Sequence, residues 1–234
     1  MKESHAQKKL IVALDFPSAA PALELACRLE GTCTWFKVGL ELYLTAGSSV
    51  VEELLRSGYS VFLDLKLHDI PNTVAGAIRS AASTGASLLT VHALGGPAMI
   101  EAAANELARL SAPPKLLAVT LLTSMDAHQM RSVGLTQTGE AQVLQLAQMA
   151  RTAGADGVVA SPLEVSALRK ALGSEALLVI PGIRSADAGT DDQKRTATPA
   201  AAIANGASML VVGRPITRAA DPVAAAREIL DQIG

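Results

Sequence analysis

Asp64 and Lys66 stand two residues apart in the run Val61-Phe62-Leu63-Asp64-Leu65-Lys66-Leu67-His68-Asp69-Ile70-Pro71-Asn72-Thr73, whose opening otherwise reads as a buried strand. Strand side chains alternate faces, so the carboxylate and the ammonium share one face and Leu63, Leu65 and Leu67 take the other. Charges on a buried strand are costly unless paired. Two chemistries fit: a structural ion pair, or a site where an ammonium held among carboxylates stabilises an anion and supplies a proton. Asp69 follows in the turn. It is readable as the cap of a helix opened by Pro71, or as a further carboxylate facing the same space.

The rest of the chain alternates short apolar runs with Ala-rich amphipathic stretches. Strands are expected at about 10–15, 34–39, from 61, 87–92, 115–122, 156–160, 176–180 and 208–212. Helices are expected between them, at about 18–29 with Ser18 as N-cap, up to Arg56, 71–84, 97–110, 140–152 and 163–172, then a short one before the eighth strand, and finally 222–233. Eight strands alternating with helices over this length predict an α/β, single-domain (β/α)8 TIM barrel over 10–234, after a polar tail at 1–9. An open doubly wound sheet is the competitor, but no G-x-G-x-x-G follows the first strand. Thr123–Gly139 reads as a long polar interruption, and Pro181–Pro199 as a mobile loop.

Composition narrows the function classes. The chain has 234 residues, is 50% hydrophobic and carries a net charge of −2, which suits a large core and no dedicated nucleic-acid surface. Aromatic residues make up 3%, too few for a base-stacking platform. The run Leu10–Leu14 ends at Asp15, too short for a signal-peptide core or a membrane span. Cys27 and Cys33 lack metal-type spacing and read as reduced packing thiols, which with the previous point predicts a cytoplasmic protein.

Barrel enzymes carry their chemistry at the C-terminal ends of strands. Those positions here hold Asp15, Lys37, the Asp64/Lys66/Asp69 group, His92, Thr123 and Ser124, Ser161, Pro181-Gly182 and Gly213-Arg214. The lysines and aspartates can form an alternating charge network in which each holds its neighbours ionised. The loops after strands seven and eight, Pro181-Gly182-Ile183-Arg184 and Gly213-Arg214-Pro215, suit an anion: glycine lets backbone N–H groups approach, and an arginine offers a forked contact. The other reading of Gly-Arg is a helix cap with a solvated charge. His92 reads as a hydrogen-bonded core histidine, Lys8-Lys9 as solvated, and Met125 and Met130 as packing residues.

Together these segments resemble the orotidine 5′-phosphate decarboxylase family over nearly the whole chain. The resemblance is carried by Ala13-Leu14-Asp15, Phe36-Lys37-Val38-Gly39, Asp64 to Thr73, Val91-His92-Ala93, Leu122-Thr123-Ser124-Met125, Gly154 to Ser161, Pro181 to Arg184, Gln193 and Val212-Gly213-Arg214-Pro215. It implies a decarboxylation of orotidine 5′-phosphate to uridine 5′-phosphate without metal or cofactor. Lys66 would protonate C6, and Asp64 and Asp69 would flank the substrate carboxylate. Asp15 and Lys37 would meet the ribose, and Ser124 the pyrimidine edge. Pro181, Arg184, Gln193, Gly213 and Arg214 would bind substrate at the phosphate end or close the loop over it. A homodimer is implied, with Asp69 and Thr73 reaching into the partner's site. Sibling sugar-phosphate enzymes of the same superfamily, such as 3-keto-L-gulonate 6-phosphate decarboxylase or hexulose phosphate synthase, share D-x-K-x-x-D but use a divalent metal. A silent phosphate-binding barrel would need the phosphate corner without Lys66.

Overall fold

Each apolar run forms a strand, and each strand is followed by one or two helices. The computed structural model describes residues 4–184 and 196–234. The first half contains β1 (Leu10–Ala13), α1 (Ala19–Arg28), β2 (Trp35–Gly39), α2 (Leu40–Ala46), α3 (Ser49–Arg56), β3 (Ser60–Leu67), α4 (Pro71–Ala82), β4 (Leu88–His92) and α5 (Pro97–Leu107). The second contains β5 (Lys115–Val119), α6 (Ala127–Ser132), α7 (Gly139–Thr152), β6 (Gly157–Val159), α8 (Val165–Leu172), β7 (Leu177–Ile180), α9 (Pro199–Ala204), β8 (Met209–Val212), α10 (Arg214–Thr217) and α11 (Pro222–Ile233). All strands pair parallel in chain order, and β8 returns to β1 through Leu10–Leu210, Ile11–Val211 and Val12–Val212. The fold is therefore the closed (β/α)8 barrel expected.

Strand alternation divides the core in two. Ile11, Ala13, Phe62, Leu88, Leu117, Val179, Met209 and Val211 pack together as the barrel filling. Val12, Phe36, Val38, Leu63, Leu89, Val91 and Leu210 pack instead with helix residues such as Ala22, Leu54, Ile78 and Ile100. Strands covered on both faces must be apolar throughout, which is why they read as continuous hydrophobic runs.

Several local expectations need correction. β1 ends at Ala13 and β5 at Val119, leaving Asp15 and Leu122 in loops. The single helix expected up to Arg56 is two, α2 and α3, separated at Gly47, whose φ of 67° breaks the helix. Ser18 holds the N-cap position of α1 but makes no side-chain cap bond. The interruption at 123–139 contains α6, capped by Asp126 and Gln129 in a reciprocal capping box. Before β1, Gln7 starts a 3-10 turn and its amide donates to Gly31 O and Thr32 O, so this segment is tied to the barrel. Cys33 is buried, and burial pushes its thiol up to about 12, whereas Cys27 is exposed rather than packed.

Candidate active site

At the C-terminal mouth of the barrel, four side chains from the first three strands and their loops alternate in charge. Asp15 follows β1, and its Oδ1 accepts from Lys37 Nζ on β2 at 2.7 Å. Lys37 Nζ lies 3.9 Å from Asp64 Oδ2 on β3. The same Asp64 oxygen accepts from Lys66 Nζ at 2.7 Å. The Lys37 and Asp64 side chains are each 10% exposed and Lys66 is 32% exposed. Charges this sheltered persist because each faces an opposite one.

Lys66 does not follow simple strand geometry. It is the one non-glycine among the described residues with positive φ, at 50°. Leu63 pairs with Leu89 and Leu67 with Val91, so Asp64, Leu65 and Lys66 stand opposite Thr90 alone. This bulge re-aims Lys66 while leaving Leu65 and Leu67 against the outer core. Non-glycine residues in this region cost on the order of 1–3 kcal/mol, and they cluster at sites where the strain is useful. Thr90, 1% exposed, spans the gap: Oγ1 accepts from Lys66 N at 2.8 Å and donates to Asp64 Oδ1 at 3.0 Å.

His92 ends β4 beside this group. Its Nδ1 accepts from Leu94 N at 3.3 Å, and its ring stacks on His68 with centroids 5.5 Å apart. Burial, then the neighbouring His68 and Lys66, lowers its pKa below the ordinary 6.5. The histidine is therefore held neutral, with its Nδ1 occupied as an acceptor.

Across the mouth lie Pro181, Gly182 and Arg184 after β7, and Gly213 and Arg214 at the start of α10. Described residues on the two sides of 185–195 meet after β7: Ile183 bridges Ala197, and Arg184 N donates to Ala197 O at 3.0 Å. Most of the loop expected to be mobile lies outside the described residues. The two walls enclose a cavity of about 470 Å³ lined by Asp15, Lys37, Asp64, Lys66, Pro181, Arg184, Gly213 and Arg214. That volume suits a nucleotide-sized ligand. A wider hollow of about 610 Å³ lies outside the barrel between α1 and α3, away from this charge array. Among the described residues no group of three His, Cys, Asp or Glu side chains could hold a metal ion. No helix there is long and apolar enough to cross a membrane.

Residues 8–229 match the orotidine 5′-phosphate decarboxylase / HUMPS family. The chain belongs to that family. Orotidine 5′-phosphate decarboxylase of Alkalilimnicola ehrlichii is 53% identical over 93% of this chain and 92% of its own. The protein of the same name from Teredinibacter turnerae is 48% identical over 96% of this chain and 97% of its own. Among solved structures, orotidine 5′-phosphate decarboxylase from Lactobacillus acidophilus superposes with a TM-score of 0.86 at 42% identity, covering 97% of this chain and 99% of that one.

Of the residues singled out in the sequence for this family's chemistry, eight therefore line one cavity. Asp69, Thr73 and Ser124 do not: all three are exposed beside it. Asp69 Oδ1 accepts from Ile70 N at 2.6 Å, and Ile70, not Asp69, holds the N-cap position of α4. Ser124 sits in a turn next to Thr123, which does line the cavity. Gln193 lies outside the described residues. Glu41, Thr217 and Arg218 also line the cavity and were passed over, as was Thr90 behind it. Thr90 had one signal, a hydroxyl inside the apolar run Leu88-Leu89-Thr90-Val91.

Proposed function

We propose that this chain converts orotidine 5′-phosphate to uridine 5′-phosphate, with no metal or organic cofactor. The observation that carries the reading is the Asp15–Lys37–Asp64–Lys66 array facing the arginine-bearing loops across one cavity. It is supported by the family match and by relatives near 50% identity that bear this name. The enzyme is a carboxy-lyase.

In the proposed reaction the bond from C6 to the carboxylate breaks and carbon dioxide leaves. The electron pair stays on C6, where no neighbouring group delocalises it. Lys66 Nζ, already held by Asp64, faces that charge, stabilises it and transfers a proton to C6. The amine then recovers a proton from solvent. A preorganised ammonium of this kind can supply the largest share of a catalytic effect. Asp64 and Asp69 crowd the substrate carboxylate in the ground state. Asp15 and Lys37 bind the ribose hydroxyls, Thr73 and Ser124 complete the nucleoside site, and Pro181, Arg184, Gln193, Gly213 and Arg214 serve the phosphate end. Phosphate binding remote from C6 then contributes to the reacting centre.

The active form is a homodimer in the cytoplasm. Asp69, Ile70, Pro71, Asn72 and Thr73 form an exposed stretch at the mouth, with Ile70 67% exposed, and Leu40 and Leu44 of α2 are also uncovered. An apolar rim of this kind suits a partner subunit that receives Asp69 and Thr73 in its own site. Free cysteines accord with a reducing compartment.

The test is conversion of orotidine 5′-phosphate followed by ultraviolet absorbance, in excess EDTA. Full turnover is expected, and Lys66→Ala should abolish it by many orders of magnitude. Chelator-sensitive turnover would favour a metal-dependent sibling reaction. No turnover at all would sink the decarboxylase reading.

A further inference from the structure

The bulge in β3 leaves the Lys66 N–H without the ladder partner a regular strand would give it, and a single hydroxyl on β4 takes that place. We propose that Thr90 is a positioning residue for the proton-donating ammonium. Its hydroxyl holds the Lys66 backbone in its left-handed turn and fixes the carboxylate that holds Lys66 Nζ. The inference rests on the decarboxylase reading for its kinetic consequence.

The direction of the bonds follows from chemistry. A backbone N–H only donates, so Thr90 Oγ1 accepts from Lys66 N and must spend its own proton elsewhere. Asp64 Oδ1, 3.0 Å away, is an acceptor when ionised, and receives it. Asp64 Oδ1 is thus occupied, and Oδ2 is the oxygen presented to Lys66 Nζ at 2.7 Å and Lys37 Nζ at 3.9 Å. One buried oxygen thereby ties both the main chain and, through Asp64, the side chain of Lys66. The neighbouring side chains Leu88, Leu89 and Val91 are apolar, so Thr90 is the one hydroxyl on β4. Valine matches threonine in shape but would leave a part-buried N–H and a buried carboxylate oxygen without this partner. Asp64 could then turn about its last torsion, and the ammonium would follow it. A misplacement of about 1 Å is enough to cost roughly 100-fold in rate.

The experiment compares Thr90→Val and Thr90→Ser with the wild type, using orotidine 5′-phosphate turnover and Lys66 amide hydrogen exchange. Thr90→Val should lower kcat by roughly 30- to 100-fold with KM within about threefold, because the phosphate-side loops are untouched. Thr90→Ser, which keeps the hydroxyl, should retain kcat within about threefold, given that the lost methyl makes no polar contact. The Lys66 amide should be protected in the wild type and in Thr90→Ser, and exchange at least about tenfold faster in Thr90→Val. Unchanged kcat in Thr90→Val, or Thr90→Ser as slow as Thr90→Val, overturns the proposal. If Thr90→Val does not fold, Thr90→Cys replaces it, since a thiol keeps the volume but bonds weakly in both directions. An unprotected Lys66 amide in the wild type overturns the proposal whatever the activity. A wild type without turnover is failure of the decarboxylase reading alone, and amide exchange still decides the positioning.

Discussion

Gly39 runs so close to Lys37 that a Cβ at residue 39 would stand 2.8 Å from Lys37 Nζ, and 3.3 Å from Asp15 Oδ1. The glycine is needed for the ammonium that crosses it, since its own φ of −97° suits any residue. Gly39→Ala should therefore displace the tip of Lys37 and break the Asp15–Lys37–Asp64 succession. Because a flexible side chain can move aside, stability should change by less than about 1 kcal/mol, partly offset by the stiffer unfolded chain. Turnover should fall by tenfold or more, on the order expected for misplaced charge at a site of this kind. Steady-state kinetics beside a thermal melt check this; a melt that collapses together with activity would contradict it.

The barrel itself was legible because parallel strands covered on both faces must be apolar, and the glycines and prolines mark their ends. The charged residues at the mouth were legible for the converse reason: Lys37, Asp64 and Lys66 are conspicuous in such runs. The bulge at Lys66 was not. Leu65-Lys66-Leu67 alternates perfectly, and the shift of register shows only in the pairing with a different strand, β4. The break at Gly47 was hidden by the amphipathic pattern continuing on both sides of it. Helix α6 is six residues long, too short to show a period, though Asp126 and Gln129 carried its cap. The bridge between Ile183 and Ala197 joins residues that no local pattern links.

Shared sites can be tested by complementation. Lys66→Ala and Asp69→Ala chains, each inactive alone, are expected to regain activity when mixed and allowed to exchange subunits, because one site of the hybrid carries both intact residues. For random pairing at equal amounts, recovery should be roughly a quarter of wild-type activity. Verified hybrids without recovery would mean that each site is built within one chain.

His92 gives an acid-sensitive contribution of definite sign. Burial, His68 and Lys66 lower its pKa in the folded protein, while the unfolded chain keeps the ordinary value of 6.5. Between those two values the unfolded state binds more protons, so stability rises with pH through the window and is lost as pH falls below about 6.5. Asparagine can still accept from Leu94 N but does not titrate. The melting temperature of wild type should thus drop further than that of His92→Asn between about pH 7.5 and pH 5.5. Parallel curves would show that His92 is not the group responsible.

Arg169 serves the opposite end of the barrel. Its guanidinium donates to Gly173 O, Ser174 O and Ala176 O ahead of β7, and to Gly206 O and Ser208 Oγ ahead of β8. Lysine keeps the charge but cannot fork among these acceptors. Arg169→Lys should cost about 2–3 kcal/mol, as the loss of several charge-assisted bonds to exposed and part-buried carbonyls does. That is a fall of roughly 5–10 °C in Tm for a chain of this size. Turnover below the melt should be unaffected; a kinetic defect without loss of stability would show that the two ends of the barrel are coupled.

Closure of the barrel depends on β8, four residues near the end of the chain, meeting β1 near its beginning. During synthesis on the ribosome, strands β1 to β7 can pair in order, but the sheet keeps two open edges until those four residues emerge. Contacts so distant in sequence form slowly, and open apolar edges invite pairing with other chains. A sheet that still lacks β8 is therefore prone to pair with other chains, and it is the form that chaperones would have to shield.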